Sequence, residues 1–247
     1  MRNSRSVTAL WDCVSRSFLE LLYPARCPLC HEILPDPRAF LCPDCQKGLR
    51  PISGPVCMRC GKPVEEEQEY CRDCARTERH FDQGKGIFLY DDKMRASLKR
   101  YKLQGCREYG RFYGEALFRF GKRELARWRP QLVVPVPLSS KRRRQRGFNQ
   151  ARDLARILCD RTGLRLDAEL MKKRRETGEQ KKLDAAQRKR NLREAFLVTR
   201  ELAGERILLV DDVYTTGSTM DAAAACLKEG GAGPIFFLTL CTGAKDI

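Results

Sequence analysis

From residue 80 onward the apolar positions fall into short blocks separated by polar stretches with helical spacing. "KGIFLY" (85–90), "QLVVPVPL" (131–138), "RILLVDDV" (206–213) and "PIFFLTLC" (234–241) are near-continuous apolar runs of strand length. Between them "DDKMRASLKRYKLQG", "REYGRFYGEALFRFGKRELARW", "FNQARDLARILCDRTG" and "STMDAAAACLKEGGA" read as helices. Phe112, Ala116, Leu117, Phe120 and Leu125 share one side of the second helix, and Gly163 stops the third. "LMKKRR" and "AFLV" are shorter strand candidates with a polar, basic stretch between them. Strand alternating with helix predicts an α/β domain over residues 81–247, a mostly parallel sheet with helices on both faces. Ligands of such sheets bind at the carboxyl ends of strands.

Ahead of this domain the pattern changes. Val7, Leu10, Trp11, Val14, Phe18, Leu21 and Leu22 recur at helical spacing, so residues 1–24 are expected to form an amphipathic helix that covers the next domain. Asp12, Arg16 and Glu20 interrupt it, which argues against a signal-peptide core. No apolar run approaches the ~20 residues of a membrane span. The expected location is a reducing cytoplasm, and its thirteen cysteines are therefore read as thiols.

Eight of those thiols form four identical C-x-x-C pairs within residues 25–80: Cys27/Cys30, Cys42/Cys45, Cys57/Cys60 and Cys71/Cys74. Two such pairs supply the four thiolates of a tetrahedral zinc site. The short gaps inside each half fit hairpins, which favours sequential pairing into two structural sites, a double zinc ribbon. The spacing leaves an interleaved pairing, or a single surviving site, open. With all ligands Cys and no coordination position free, these are staples rather than catalytic metals. A segment this small would hardly fold without them. Cys13, Cys106, Cys159, Cys226 and Cys241 stand alone and are read as small buried hydrophobes. His31 and His80, the only histidines, lie in the cysteine region, which argues against Cys–His and Ser–His–Asp catalysis.

Composition adds one point. The chain of 247 residues carries a formal net charge of +16, which calls for an anionic partner. The charge is localised: Arg119 to Arg190 holds 23 Lys+Arg against eight Asp+Glu, and the remainder is close to neutral.

The most informative stretch is "ILLVDDVYTTGSTM", Ile207 to Met220. An apolar strand ends in two adjacent carboxylates, and a loop of small residues then enters a helix. The unpaired N–H groups and the dipole at a helix start favour an anion. Gly217 permits close backbone approach, and Thr215, Thr216, Ser218 and Thr219 offer hydroxyls. No lysine follows the glycine, so this is not a Walker loop. Asp211 and Asp212 can accept hydrogen bonds from sugar hydroxyls or help to hold magnesium. A phosphate cradle beside a diol acceptor describes a ribose 5-phosphate.

The ordered strand, acidic pair and T-T-G-x-T loop resemble the signature of the type I phosphoribosyltransferases. The resemblance implies that Asp211 and Asp212 bind the ribose 2- and 3-hydroxyls of phosphoribosyl pyrophosphate and that Thr215 to Thr219 hold its 5-phosphate. It also implies a pyrophosphate loop after the first core strand, where Val136, Pro137, Leu138 and Ser139 stand, with magnesium riding mostly on the pyrophosphate. A wider set of motifs is similar to the ComF family of competence-associated proteins. These are the double four-cysteine module, "LKRYKLQG" (98–105), "VPVPLSSKRRRQRGFNQA" (134–151) and "QKKLDAAQRKRNLREAF" (180–196). That resemblance implies a zinc-ribbon module fused to a phosphoribosyltransferase domain. It further implies a role with incoming single-stranded DNA in natural transformation, the cysteine module being a possible docking surface for a helicase or another DNA-uptake protein.

Three uses compete for the basic stretches: a mobile loop bringing cations to the leaving pyrophosphate, a nucleic-acid groove, and a solvated charged face. Arg144, Arg146, Lys181 and Lys182 are the cationic candidates. No nucleophile or general base is assigned. Purine-salvage members carry an acidic residue three positions after the second aspartate, and Thr215 stands there instead. Turnover with an unknown acceptor, as a phosphoribosyltransferase, and a non-catalytic adaptor for a sugar phosphate or single-stranded DNA are both expected possibilities.

Overall fold

The computed structural model describes residues 23–174 and 195–243. The expected N-terminal helix therefore falls almost wholly outside the described residues, as do Lys181 and Lys182. The chain divides into two compact units, Met1–Leu49 and Arg50–Ile247. One ribbon belongs to each.

The ribbons repeat one design. In the first, the Arg26–Ile33 bridge is antiparallel, Cys27 donates to Glu32, and His31 donates back to the Cys27 carbonyl at 2.8 Å. The helix α1 (Pro43–Gly48) starts at its N-cap Cys42. In the second, the bridge is Val56–Pro63, Cys57 donates to Lys62, and Gly61 donates to the Cys57 carbonyl at 2.9 Å. Here α2 (Arg72–Arg76) starts at Cys71. The residue after the second cysteine of each first pair must turn left-handed, with φ 72° at His31 and 71° at Gly61.

The sheet follows. Its elements are β1 (Gln83–Leu89), α3 (Asp92–Leu103), a 3-10 turn at Arg107–Tyr109, α4 (Gly110–Trp128) and β2 (Leu132–Pro135). Next come α5 (Ser140–Arg146), α6 (Gln150–Thr162), β3 (Arg165–Leu166), β4 (Met171–Lys173) and β5 (Phe196–Val198). Then β6 (Ile207–Tyr214), α7 (Ser218–Glu229) and β7 (Ile235–Thr242) close the unit. Five strands form one parallel sheet in the order β1-β7-β6-β2-β3. All eight residues of β7 are buried, as a strand covered on both faces requires.

Helices α4 and α6 pack on one face through Phe112, Ala116, Leu117, Leu154 and Leu158. On the other face Leu132, Val134, Ile207, Leu209 and Phe237 share one apolar cluster with Ala223 and Leu227 of α7 and with all four cysteines of the second ribbon. That ribbon also meets the sheet edge through its backbone, since Gly84 of β1 donates to Arg59 at 2.7 Å and Ile52 donates to Ile87 at 2.8 Å. The exposed edge of β1 is thereby covered.

Two details differ from the sequence reading. "LMKKRR" and "AFLV" do contain strands, but β4 and β5 pair with each other antiparallel and stand apart from the main sheet. "SSKRRRQR" contains a helix, α5, that its pattern hides because none of its residues is buried and so no apolar stripe exists. Of the isolated cysteines, Cys159, Cys226 and Cys241 are buried as expected, whereas Cys106 is half-exposed and Cys13 lies outside the described residues. Among the described residues no helix is long and apolar enough to cross a membrane.

Candidate functional site

The cysteines assemble as sequential pairs. Cys27, Cys30, Cys42 and Cys45 form one cluster and Cys57, Cys60, Cys71 and Cys74 the other, with the sulfurs of each within 4.8 Å of one another. Cys30 and Cys42 are 3.7 Å apart, Cys60 and Cys71 3.6 Å. Four thiolates ~2.3 Å from a central zinc ion stand about 3.8 Å apart, so both clusters fit the metal without rearrangement. Hydrogen bonding inside the second cluster pushes Cys57 far below the ordinary thiol range and Cys60 far above it. A zinc ion binds such groups as thiolates and releases their protons as it does so.

The second site forms where β2 ends. Pro135 is the last residue of β2 paired with β6, and Val136 adds one more bond to the Val210 carbonyl at 3.0 Å. Beyond that point β6 continues alone on this side, with β7 still on the other. Asp211 and Asp212 are the first two residues past the split, at the carboxyl end of β6. Asp212 is 8% exposed and Asp211 is half-buried. Burial first, and then the Asp212 charge, raise the Asp211 carboxyl to about 7, against the opposing effects of the Asp212 N–H, Lys102 and Arg146. Lys102, in the last turn of α3, forms an ion pair with the Asp212 carboxylate.

The loop follows at once. Thr215, Thr216, Ser218 and Thr219 are exposed, and the Thr216 and Ser218 hydroxyls lie 3.0 Å apart. Gly217 caps α7 with φ 80°, and a Cβ there would run into the Tyr214 hydroxyl. Both conformation and space therefore demand glycine. Ser218 and Thr219 open this twelve-residue helix and Thr215 and Thr216 precede it, so four exposed hydroxyl-bearing residues surround a helix N-terminus, a setting that suits an anion.

Val136, Pro137, Leu138 and Ser139 run from the end of β2 to α5, where the Ser139 hydroxyl accepts from Arg142 N–H at 3.4 Å. "RGFNQA" fixes this loop. Gly147 ends α5 with φ 76°, and Asn149 caps α6 while its amide donates to the Val136 carbonyl at 3.2 Å. Phe148 packs edge-on against Tyr101 at 5.2 Å and lies under the Arg107 guanidinium at 5.0 Å. Arg107 is held in turn by both oxygens of Asp153. Arg146 donates to buried Gln150 at 2.7 Å, and its Nε and the Gln150 Nε2 are buried without a hydrogen-bond partner.

Of the predicted cations, Arg146 lies close enough to Asp211 to favour its charged form and Arg144 is exposed on α5. The sequence reading missed Lys102, although it sits in the quoted "LKRYKLQG". It also missed Arg79, which donates to the Thr216 carbonyl at 3.1 Å from 137 residues away. Nothing local to "RTERHF" marks that role. His80 donates its backbone N–H to the Asp221 carboxylate in the first turn of α7, with Nδ1 3.3 Å from the same oxygen. The arrangement joins a loop of exposed hydroxyls, two adjacent carboxylates and the ion-paired Lys102 at the carboxyl end of β6. It offers electrostatic grip rather than a nucleophile.

Residues 18–75 match the double zinc ribbon domain, and residues 144–246 match the phosphoribosyl transferase domain. Competence protein ComFC of Bacillus subtilis is 33% identical over 208 residues, covering 79% of this chain and 80% of that protein. Competence protein F of Haemophilus influenzae is 31% identical over 216 residues, 85% of this chain and 93% of that protein. DNA utilization protein YhgH of Salmonella typhimurium is 29% identical over 224 residues, 90% and 98% respectively.

Proposed function

Because the chain belongs to the ComF family of competence proteins, we propose that it binds phosphoribosyl pyrophosphate at the carboxyl end of β6 and acts on or beside single-stranded DNA during DNA uptake. The observation that carries the reading is the convergence, just past the end of β2, of Asp211, Asp212, the Thr215–Thr219 loop, Lys102 and Arg146.

In this reading the ribose hydroxyls donate to Asp211 and Asp212. The 5-phosphate accepts from the loop amides and hydroxyls, and the pyrophosphate lies along Val136–Ser139. Arg146 faces the leaving group. Magnesium, carried on the pyrophosphate, adds positive charge there. The donor set suits that use, because a hard cation takes one or two carboxylates together with substrate phosphates. Lys102 already occupies one oxygen of Asp212, so an all-protein magnesium cage does not fit. The exposed cations of α5, Lys141, Arg142, Arg143 and Arg144, adjoin this mouth and suit a polyanion such as single-stranded DNA. Zinc-bound thiolates suit a reducing compartment, in keeping with a cytoplasmic location.

One observation favours the non-catalytic variant of this reading. Thr215 stands where a purine-salvage enzyme carries its acid. Calorimetry of the full chain with phosphoribosyl pyrophosphate, with and without magnesium, tests the binding. The double variant Asp211→Asn/Asp212→Asn is expected to lose roughly a hundredfold or more in affinity, since hydrogen bonds to charged groups contribute ~1.5–3 kcal/mol each. Unchanged affinity in that variant refutes the site. Pyrophosphate release on adding candidate acceptors identifies an enzyme; tight binding without release identifies an adaptor.

A further inference from the structure

The stretch between α2 and β1 ties the second four-cysteine site to the loop that follows β6. Arg79 Nη2 donates to the Thr216 carbonyl at 3.1 Å, and the same guanidinium lies beside the Cys74 sulfur. The next residue holds the helix behind the loop, its N–H donating to Asp221 Oδ1 at 2.7 Å with Nδ1 3.3 Å from that oxygen. Phe81 packs edge-on against Phe237 at 4.9 Å and against Tyr214 at 6.2 Å. Tyr214 stacks on Phe237 at 4.7 Å, while its hydroxyl faces the Cys60 and Cys74 sulfurs and supports Gly217 from below. Loop and cysteine site are thus separated by one layer of side chains, Arg79 and Tyr214.

The direction of the Arg79 contact matters. A loop that holds an anion must turn N–H groups toward it and carbonyls away. The Thr216 carbonyl and the Gly217 N–H belong to one planar trans peptide and point in opposite directions. Fixing the carbonyl on Arg79 therefore aims the Gly217 N–H the other way, out of the protein. Glycine, free to rotate at this position, needs such an anchor more than any other residue.

We propose that Arg79 is a positioning residue for the 5-phosphate loop, clamping the Thr216 carbonyl so that the Gly217 N–H faces the anion. Its own place is set by the second four-cysteine site. The inference rests on the reading that residues 215–219 hold a phosphate. Zinc at Cys57, Cys60, Cys71 and Cys74 would hold the ground on which the clamp stands.

The test uses the full zinc-loaded chain as wild type, Arg79→Ala and Arg79→Lys. Zinc content, hydrogen exchange of the 215–219 amides, and calorimetric affinity for ribose 5-phosphate and for inorganic pyrophosphate are measured on each. Arg79 is no ligand, so zinc content is expected to stay at the wild-type value. In Arg79→Ala the loop amides should exchange at least tenfold faster and ribose 5-phosphate should bind at least tenfold more weakly, with pyrophosphate affinity unchanged. Arg79→Lys should fall between. Wild-type exchange in either folded variant overturns the proposal, as does a parallel loss of pyrophosphate affinity. Should Arg79→Ala fail to fold, Arg79→Lys decides on the same readouts. If the wild type binds no ribose 5-phosphate, the phosphate reading of the loop fails, and the exchange data still decide whether Arg79 sets the loop.

Discussion

In the first ribbon Cys30 is exposed and Cys42 and Cys45 are half-buried; in the second all four cysteines are inside. The hydrogen-bond plan of the two ribbons is the same, down to the left-handed residue after the second cysteine. What differs is the surrounding. The second cluster packs with Val134, Leu209 and Phe237 under the sheet, and its neighbours Arg79 and Tyr214 touch the loop of the candidate site. The first holds together the unit that ends at Leu49. One repeated motif thus serves as a local staple in one place and as part of a core in the other, and the duplicated cysteine spacing gives no hint of which is which.

The comparison breaks most decisively on cysteine substitution. Cys60→Ser should remove one zinc site and open the core beneath Tyr214, costing at least ~3 kcal/mol and lowering the melting temperature of the sheet unit by roughly 10 °C. Cys30→Ser should remove one zinc site and leave that transition in place. Metal analysis and scanning calorimetry on both variants give the answer, and equal losses would erase the distinction drawn between the ribbons.

The left-handed positions sharpen it. Gly61→Ala puts a Cβ at φ 71°, 2.9 Å from the Lys85 Cα and hard against the Gly84 carbonyl, at an expected cost of about 2–3 kcal/mol. His31→Gly relieves the same conformation, at φ 72°, and should stabilise the first ribbon by ~1 kcal/mol. Chemical denaturation and zinc affinity of the two variants should therefore move in opposite directions.

A chelator should also tell the sites apart. The first cluster, with its exposed sulfur, is expected to release zinc about tenfold faster than the buried one, and Cys30→Ser should abolish the fast phase in a colorimetric assay.

A pH term confined to the sheet unit comes last. The Asp211 carboxyl is raised to about 7, so its neutral form is the one the fold prefers. Its favourable contribution is complete below the unfolded value near 4 and is lost as pH rises through 7. Asp211→Asn should then be more stable than wild type at pH 8 by ~1–2 kcal/mol, and no more stable at pH 4, in thermal melts of the ligand-free chain.

Much of the sheet was legible because each core strand is a bounded apolar run and each long helix carries a stripe. The acidic pair and the loop of β6 were legible for a different reason: two adjacent carboxylates and a glycine before a helix make little sense without a ligand. What stayed hidden depends on distance or on exposure. Helix α5 has no buried residue to give it a period. Arg79 and Thr216 meet across 137 positions, and only the folded chain brings them together. Lys102 was visible within a motif, yet its partner Asp212 could not be named from spacing alone. The division of the chain between Leu49 and Arg50 falls in "LRPISG", inside the 25–80 module that the shared cysteine pattern draws as one.

The Lys102–Asp212 contact has a further effect on any visitor to the crevice. Lys102 sets one positive charge directly against the Asp212 carboxylate at the carboxyl end of β6. An anion arriving there meets a compensated charge rather than a bare one, and replacing the ammonium with the apolar end of methionine should slow its association.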